Sequence, residues 1–119
     1  MAMKEPSAKR QRTLALHDRA LRLVWEQLVR SADSTSNNLI EADDASSDAD
    51  FLSKMGIALR EAKESRAALI KLRLGSLDNY QKTAEQELES EASQLSAIFA
   101  TIILNMRLRL DEQKKRKKL

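Results

Sequence analysis

The stretch of residues 95–106, LSAIFATIILNM, is apolar on almost every side of a helix. A helix that packs on one face only requires a single apolar stripe about 100° wide. This segment has two neighbouring stripes, which consist of Leu95, Phe99, Ile102 and Met106, and of Ile98, Ile103 and Leu110. We therefore predict that the last helix packs inside its own bundle and also against a second copy of the chain, with Ile98, Ile103 and Leu110 as the oligomer interface.

The composition favours a single helical domain. The chain has 119 residues, is rich in strong helix formers such as Ala, Leu, Glu and Lys, and contains only two glycines and one proline. The apolar run of about 12 residues is shorter than the roughly 20 that a membrane-spanning helix needs. The absence of cysteine excludes disulfides and thiolate metal sites and suits a reducing compartment. We expect a soluble, cytoplasmic protein without membrane contact.

Three apolar patterns with alternating four- and three-residue spacing predict long helices near residues 13–44, 47–74 and 78–114. Ser47 and Asp78 are the expected N-caps, and Gly75 is expected to end the second helix in a left-handed conformation. The short connections favour antiparallel neighbours. The predicted fold class is all-α: an up-down antiparallel bundle of the four-helix-bundle type, with three long helices and a short N-terminal segment.

The same patterns divide the chain into three parts. Residues 13–113 form the predicted bundle domain, and residues 114–119 form a basic C-terminal tail. For residues 1–12, a flexible arm and a short helix continuous with the next are both open. The side chains on which the core is expected to depend are Leu28, Leu39, Phe51, Leu69, Leu88 and Phe99.

Charged residues on the predicted helices favour structural ion pairs over catalysis. Paired carboxylates can act as general acids when burial or a like charge raises a pKa, but cations are available here as partners. His17 is the only histidine, so a di-metal site of the Glu-x-x-His type is not expected. We predict no enzyme activity, no cofactor, no metal and no small-molecule substrate. The expected inter-helix ion pairs involve Arg30, Arg60 and Arg66 with Glu41, Glu61 and Glu64.

The basic C-terminal end is the strongest candidate for a functional site. One interpretation is a solvated tail that aids solubility, and the other is binding to nucleic-acid phosphates with release of counterions. Only 3% of the residues are aromatic, so base stacking would contribute little. The candidate RNA-binding residues are Arg107, Arg109, Lys114, Lys115, Arg116, Lys117 and Lys118.

Residues 27–106 resemble a bacterial four-helix-bundle family of unknown function that is encoded by intervening sequences in 23S ribosomal RNA genes. Four segments, which keep the family's order and spacing, carry the resemblance: QLVRSA at 27–32, NLIEA at 38–42, ADFLSKMGIALREAKE at 49–64 and, more weakly, LSAIFATII at 95–103. The resemblance implies a left-handed up-down bundle and, as in several members, a ring of five subunits. It implies no activity, although a related bundle in retroelement systems binds nucleic acid and a reverse transcriptase.

Two functions are compatible with these observations. The first is a non-enzymatic homo-oligomer, with a pentamer as the expected stoichiometry, that binds RNA weakly and without sequence specificity through its basic end. The alternative is a purely structural or scaffolding module that acts only through protein–protein contacts in a homo-oligomeric ring.

Overall fold

The computed structural model describes residues 7–76 and 79–118, and these residues form three long helices. Helix α1 spans Ala8–Asp43, α2 spans Asp48–Gly75 and α3 spans Asn79–Lys117, with no strand in the described part of the chain. The predicted all-α class is therefore confirmed. In the same residues, no helix combines the length and apolar character that crossing a membrane requires.

Serine N-caps set where the first two helices begin. The Ser7 hydroxyl accepts a hydrogen bond from the Arg10 amide at 3.3 Å, and the Ser47 hydroxyl accepts one from the Asp50 amide at 3.0 Å. Asp48 and Asp50 add negative charge to the first turn of α2, where the helix dipole favours it. The predicted cap at Ser47 is confirmed, whereas Asp78 lies outside the described residues.

The end of α2 differs from the prediction because Gly75 lies close to a side chain of α1 and does not form a left-handed turn. No described glycine has a positive φ, and α2 includes Gly75 and ends at Ser76 in an extended conformation. A Cβ built on Gly75 would lie 2.9 Å from Cδ2 of Leu21 on α1. The absent side chain lets α1 approach the last turn of α2.

Both outer helices are longer than predicted. Helix α1 begins five residues earlier than residue 13, because Ser7 caps a run of good helix formers at residues 8–12. Helix α3 continues through Lys117, because cations suit a helix C-terminus. The proposed boundaries at residues 12 and 114 therefore fall inside helices, while residues 1–6 and Leu119 lie outside the described residues.

Helix α2 is the central helix and packs against both α1 and α3. Arg30 in the middle of α1 pairs with Glu64 of α2, and Glu41 near the end of α1 pairs with Lys54 near the start of α2. The two helices are therefore antiparallel. The Arg73–Glu89 pair holds the other end of α2 against the start of α3. Since α3 also runs antiparallel to α2, α1 and α3 are parallel on either side of it. The molecule is elongated, with a longest dimension of 85 Å.

The core has two layers along this three-helix arrangement. The layer near the α1–α2 turn consists of Ala42, Met55, Ala58, Ala62, Phe99 and Ile103. The second layer consists of Leu28, Ala68, Leu69 and Leu72. Several members are alanines, which lets the helix backbones come close together.

A buried pair of serines lies where α1 crosses α2. The Ser31 and Ser65 hydroxyl oxygens are 2.8 Å apart, and they also lie 3.1 Å and 3.0 Å from the Leu28 and Glu61 carbonyl oxygens. Each hydroxyl has one proton, so one serine donates to the other while its partner donates to its own helix backbone. The pair satisfies two buried polar groups and favours one register between the helices.

The core prediction is correct at most positions and wrong at one. Leu28, Leu69 and Phe99 are buried, and Leu39 and Phe51 are half-buried against the first layer. Leu88 is 47% exposed, because it faces away from α2 towards the space between α1 and α3.

Candidate helix-binding groove and basic helix end

An open groove separates α1 from α3, and α2 forms its floor. No Cα atom of α1 lies within 8 Å of a Cα atom of α3, whereas α2 contacts both helices. The groove has a volume of about 470 Å³. Its floor consists of Ala62, Ser65 and Leu69, and its walls of Leu28, Val29, Ala32, Thr35, Ser36 and Leu39 on α1 and Leu88, Glu91, Ala92, Leu95 and Phe99 on α3.

Large apolar side chains remain exposed along the walls of this groove. Val29 on α1 and Leu88 and Leu95 on α3 line the groove and are exposed in the single chain. Ile98 follows Leu95 by one helical turn and is 52% exposed. A continuous apolar surface of this kind, bordered by charged residues, is typical of a site that binds another protein.

The three residues of the predicted oligomer interface are not all available at the surface. Ile98 is available to a partner, but Ile103 is only 7% exposed and packs with Phe99 in the core of its own chain. Leu110 is half-buried. The prediction therefore needs correction at Ile103, which faces α2 because the α3 face that packs on α2 includes both Phe99 and Ile103.

A second cavity, separate from the groove, is lined by the buried carboxylate of Glu85. Glu85 is 2% exposed, and neither of its carboxylate oxygens has a hydrogen-bond partner among the described residues. It lines a cavity of about 200 Å³ together with His17, Asp18, Leu21 and Trp25. Burial raises the pKa of Glu85, and the polar side chain of Gln81 in the same cavity and then the positive charges of Arg73 and Lys82 oppose this shift.

The predicted ion-pair residues are brought together in part. Arg30 on α1 lies between two carboxylates of α2, with 4.0 Å from Nη1 to Glu61 Oε2 and 3.6 Å from Nη2 to Glu64 Oε2. Glu41 pairs with Lys54 at 2.9 Å, and this hydrogen bond and charge raise the pKa of Lys54.

The two remaining arginines of that prediction do not join these pairs. Within residues 7–76 and 79–118, neither Arg60 nor Arg66 has an ion pair. Arg66 instead borders a shallow cleft on the opposite side of α2 and α3, together with Ser90 and Ser93.

The predicted RNA-binding residues form the last three turns of α3 and the turn that follows. Residues 114–117 are helical, and Lys118 donates its amide to the Lys115 carbonyl at 3.3 Å. All seven cations are exposed, and none of them has an ion pair in the described part of the chain. Arg109 only approaches Met106, with 4.0 Å from Nη2 to the sulfur.

The described residues do not bring metal-ligating side chains together. No cluster of three histidine, aspartate or glutamate side chains there could hold a metal ion. His17 lies beside Gly75, with its Nε2 3.8 Å from the position of a Cβ on that glycine. Three residues that line the groove or the neighbouring cavity were not among the predicted site residues: Val29, Glu85 and Glu91. The signal for Glu85 was a carboxylate beside the apolar stripe of α3.

A comparison with models of protein families identifies the family of this chain. The model of the 23S rRNA-intervening sequence protein family matches residues 11–101, which is more than half of the chain. No curated protein and no solved structure matches the chain. The segments that resemble this family at residues 27–103 lie almost entirely within the matched range, on α1, α2 and the middle of α3. The chain belongs to the 23S rRNA-intervening sequence protein family.

Proposed function

We propose that this chain is a non-enzymatic, cytoplasmic association module that assembles with copies of itself by placing a helix in the groove between α1 and α3. The observation that supports this proposal is the groove itself, which is open along parallel helices and has exposed valine and leucine side chains, Val29, Leu88 and Leu95, along its walls. A helix inserted there would run antiparallel to α1 and α3 and would complete a left-handed up-down four-helix bundle. The five-subunit ring implied by the family resemblance stays a prediction of stoichiometry.

Association through the groove is tested by two matched substitutions on α3. Leu95 lines the groove, whereas Leu104 lies nine residues further on, about two and a half helical turns, and therefore on the opposite face. Both leucines are exposed in the single chain. We expect Leu95→Glu to weaken self-association at least about tenfold, because it places a charge in an apolar contact, while Leu104→Glu leaves it unchanged.

Sedimentation equilibrium over a range of protein concentrations measures both variants against the unsubstituted chain. A chain that remains at 13.5 kDa up to high micromolar concentration would contradict the proposal. Equal weakening by both substitutions would place the contact outside the groove.

RNA binding is the second candidate function, and the uninterrupted basic end of α3 favours it. The described cations from Arg107 to Lys118 lie without intramolecular ion pairs, so they are free to contact phosphates. Binding by charge alone predicts an affinity that falls steeply, by roughly a hundredfold or more, between 50 and 200 mM salt.

Fluorescence anisotropy with a labelled single-stranded RNA measures this affinity. Replacement of Lys114, Lys115, Lys117 and Lys118 by Gln should remove most binding. Replacement of Lys9, Arg10 and Arg12 by Gln, at the far end of α1, serves as the control. If neither variant differs from the unsubstituted chain, or if none of them binds at low salt, the RNA function is excluded.

A further inference from the structure

All three helices contribute to the cavity that Glu85 lines. Helix α1 contributes side chains from residues 17–25, α2 contributes its last turn and its C-cap, and α3 contributes its first two turns. The cavity has a volume of about 200 Å³. Sites for drug-sized molecules typically have roughly 300–1,000 Å³, so this cavity suits a smaller ligand.

Glu85 brings an uncompensated polar group to this cavity. The residue is 2% exposed, and both of its carboxylate oxygens are buried without a hydrogen-bond partner among the described residues. A buried carboxylate is costly in its charged form unless a cation or several hydrogen-bond donors compensate the charge. The cavity gives such a partner room to reach Glu85.

The basic residues near Glu85 do not occupy this space. The positive charges of Arg73 and Lys82 lower the pKa of Glu85, but burial has the larger effect and raises it. Arg73 donates from its Nε to Oε2 of Glu89 at 2.9 Å and is engaged in that ion pair. Neither Arg73 nor Lys82 is among the described residues that line the cavity. The space beside Glu85 is therefore open to a cation from outside the chain.

The walls of the cavity favour an organic cation over a metal ion. Leu21 and Leu72 supply apolar surface, and Trp25 supplies an indole, the side chain that attracts cations most strongly. A hard metal ion such as Ca²⁺ takes about six to eight oxygen ligands, and apolar carbon offers it none. The same carbon surface suits the alkyl chain of an amine.

Asp18 adds a second carboxylate on the solvent side of the cavity. It lines the cavity together with Glu85, but its side chain is exposed. A short diamine can therefore contact a buried carboxylate with one ammonium group and an exposed carboxylate with the other. Water and salt screen an exposed ion pair, so Asp18 should contribute less to binding than Glu85.

We propose that this cavity binds a small alkylammonium ion, whose ammonium group pairs with the carboxylate of Glu85 and whose alkyl chain packs against Leu21 and Trp25. In a diamine, the second ammonium group pairs with Asp18. The cavity and the groove have no lining residue in common among the described residues. The proposal therefore does not depend on self-association through the groove.

Isothermal titration calorimetry of the full chain with putrescine, a four-carbon diamine, tests the proposal. We expect saturable binding of one putrescine per chain at neutral pH. Glu85→Gln keeps the size of the side chain and removes its charge, so it should weaken binding at least about tenfold. Glu87→Gln is the matched control, because it removes the same charge from an exposed residue of α3 that is not among the residues lining the cavity. It should bind putrescine like the unsubstituted chain.

The fluorescence of Trp25 shows where the amine binds. Trp25 is the single tryptophan of the chain and lines the cavity, so its fluorescence should change over the same putrescine concentrations as the heat. Butane-1,4-diol, which has the same chain length and no charge, should give neither signal. Butylamine, which lacks the second ammonium group, should bind more weakly than putrescine, and Asp18→Asn should remove that difference.

Two results would overturn the proposal directly. One is a titration without saturable binding of putrescine. The other is equal binding by the unsubstituted chain and Glu85→Gln, because the amine would then associate with surface carboxylates in general. Saturable binding of CaCl₂ or MgCl₂ that displaces putrescine and is lost in Glu85→Gln would also overturn it, since the cavity would then be a metal site. The comparison of putrescine with butane-1,4-diol needs no variant, so it remains decisive if Glu85→Gln alters the helical circular dichroism.

Discussion

Phe99 and Leu88 belong to the same apolar pattern of α3, but they are buried to different extents. Their truncation should therefore lower the free energy of unfolding by different amounts. Phe99 is 4% exposed and packs with five other buried residues of the first core layer, whereas about half of Leu88 is exposed to the groove. Truncation of a buried phenylalanine removes apolar burial and leaves a cavity, which costs about 3–5 kcal/mol. Truncation of Leu88 removes only half of a leucine's burial, which is worth about 1 kcal/mol.

We therefore expect Phe99→Ala to lower the free energy of unfolding several times more than Leu88→Ala. Urea denaturation followed by far-UV circular dichroism, at a concentration where the chain is monomeric, measures both values. At higher concentration, Leu88→Ala should weaken self-association as well, because Leu88 lines the groove, whereas its effect on the monomer stays small. Equal destabilisation of the monomer by the two substitutions would show that α3 is rotated relative to α2 and that the groove is assigned to the wrong face.

Three further predictions follow from the polar groups of the bundle. Ser31→Ala should lower the free energy of unfolding by about 1 kcal/mol, because the hydrogen bond to Ser65 is lost. Ser31→Val should lower it by about 1–3 kcal/mol, because the larger side chain overpacks the contact with Ser65. If urea denaturation shows no change for Ser31→Val, the helices are not in close contact at this point. Arg30→Ala should cost about 0.5 kcal/mol or less, since Arg30 is exposed, and the loss should shrink further in high salt. The pKa of Glu85 is raised in the folded chain, so the monomer should lose stability as the pH rises above about 4.5, the ordinary value for a glutamate carboxyl. Glu85→Gln should abolish this loss. Urea denaturation at several pH values measures both chains.

Much of the secondary structure could be predicted from local signals. The cap at Ser47, the polar turn after α1 and the four-three spacing of apolar residues predicted three helices whose ends lie within five residues of the observed ones. Gly75 was misinterpreted because a glycine at a helix end serves equally for a left-handed turn and for a close contact with another helix. Only the position of Leu21 on α1 distinguishes the two.

The face of α3 that packs on α2 could not be predicted in the same way. Residues 95–106 are apolar on adjoining faces, so a rotation of the helix by part of a turn exchanges which side chains are buried. The structure buries Phe99 and Ile103 and leaves Ile98 and Ile102 exposed. The sequence pattern indicated that two apolar faces exist, but the choice depends on how α2 fits between its neighbours.

The open groove results from the number of helices and from the position of α2. As the central helix, α2 has buried residues facing both neighbours, including Ser65 towards α1 and Met55 within the layer that α3 completes. The outer helices contact α2 on one side only, so the apolar surface of α1 and α3 that faces away from α2 has no cover within the described chain. Exposure of the apolar side chains of Val29, Leu95 and Ile98 to water is unfavourable. A fourth helix from another copy of the chain, placed in the groove, would remove that exposure, and this is the physical reason for the proposed self-association.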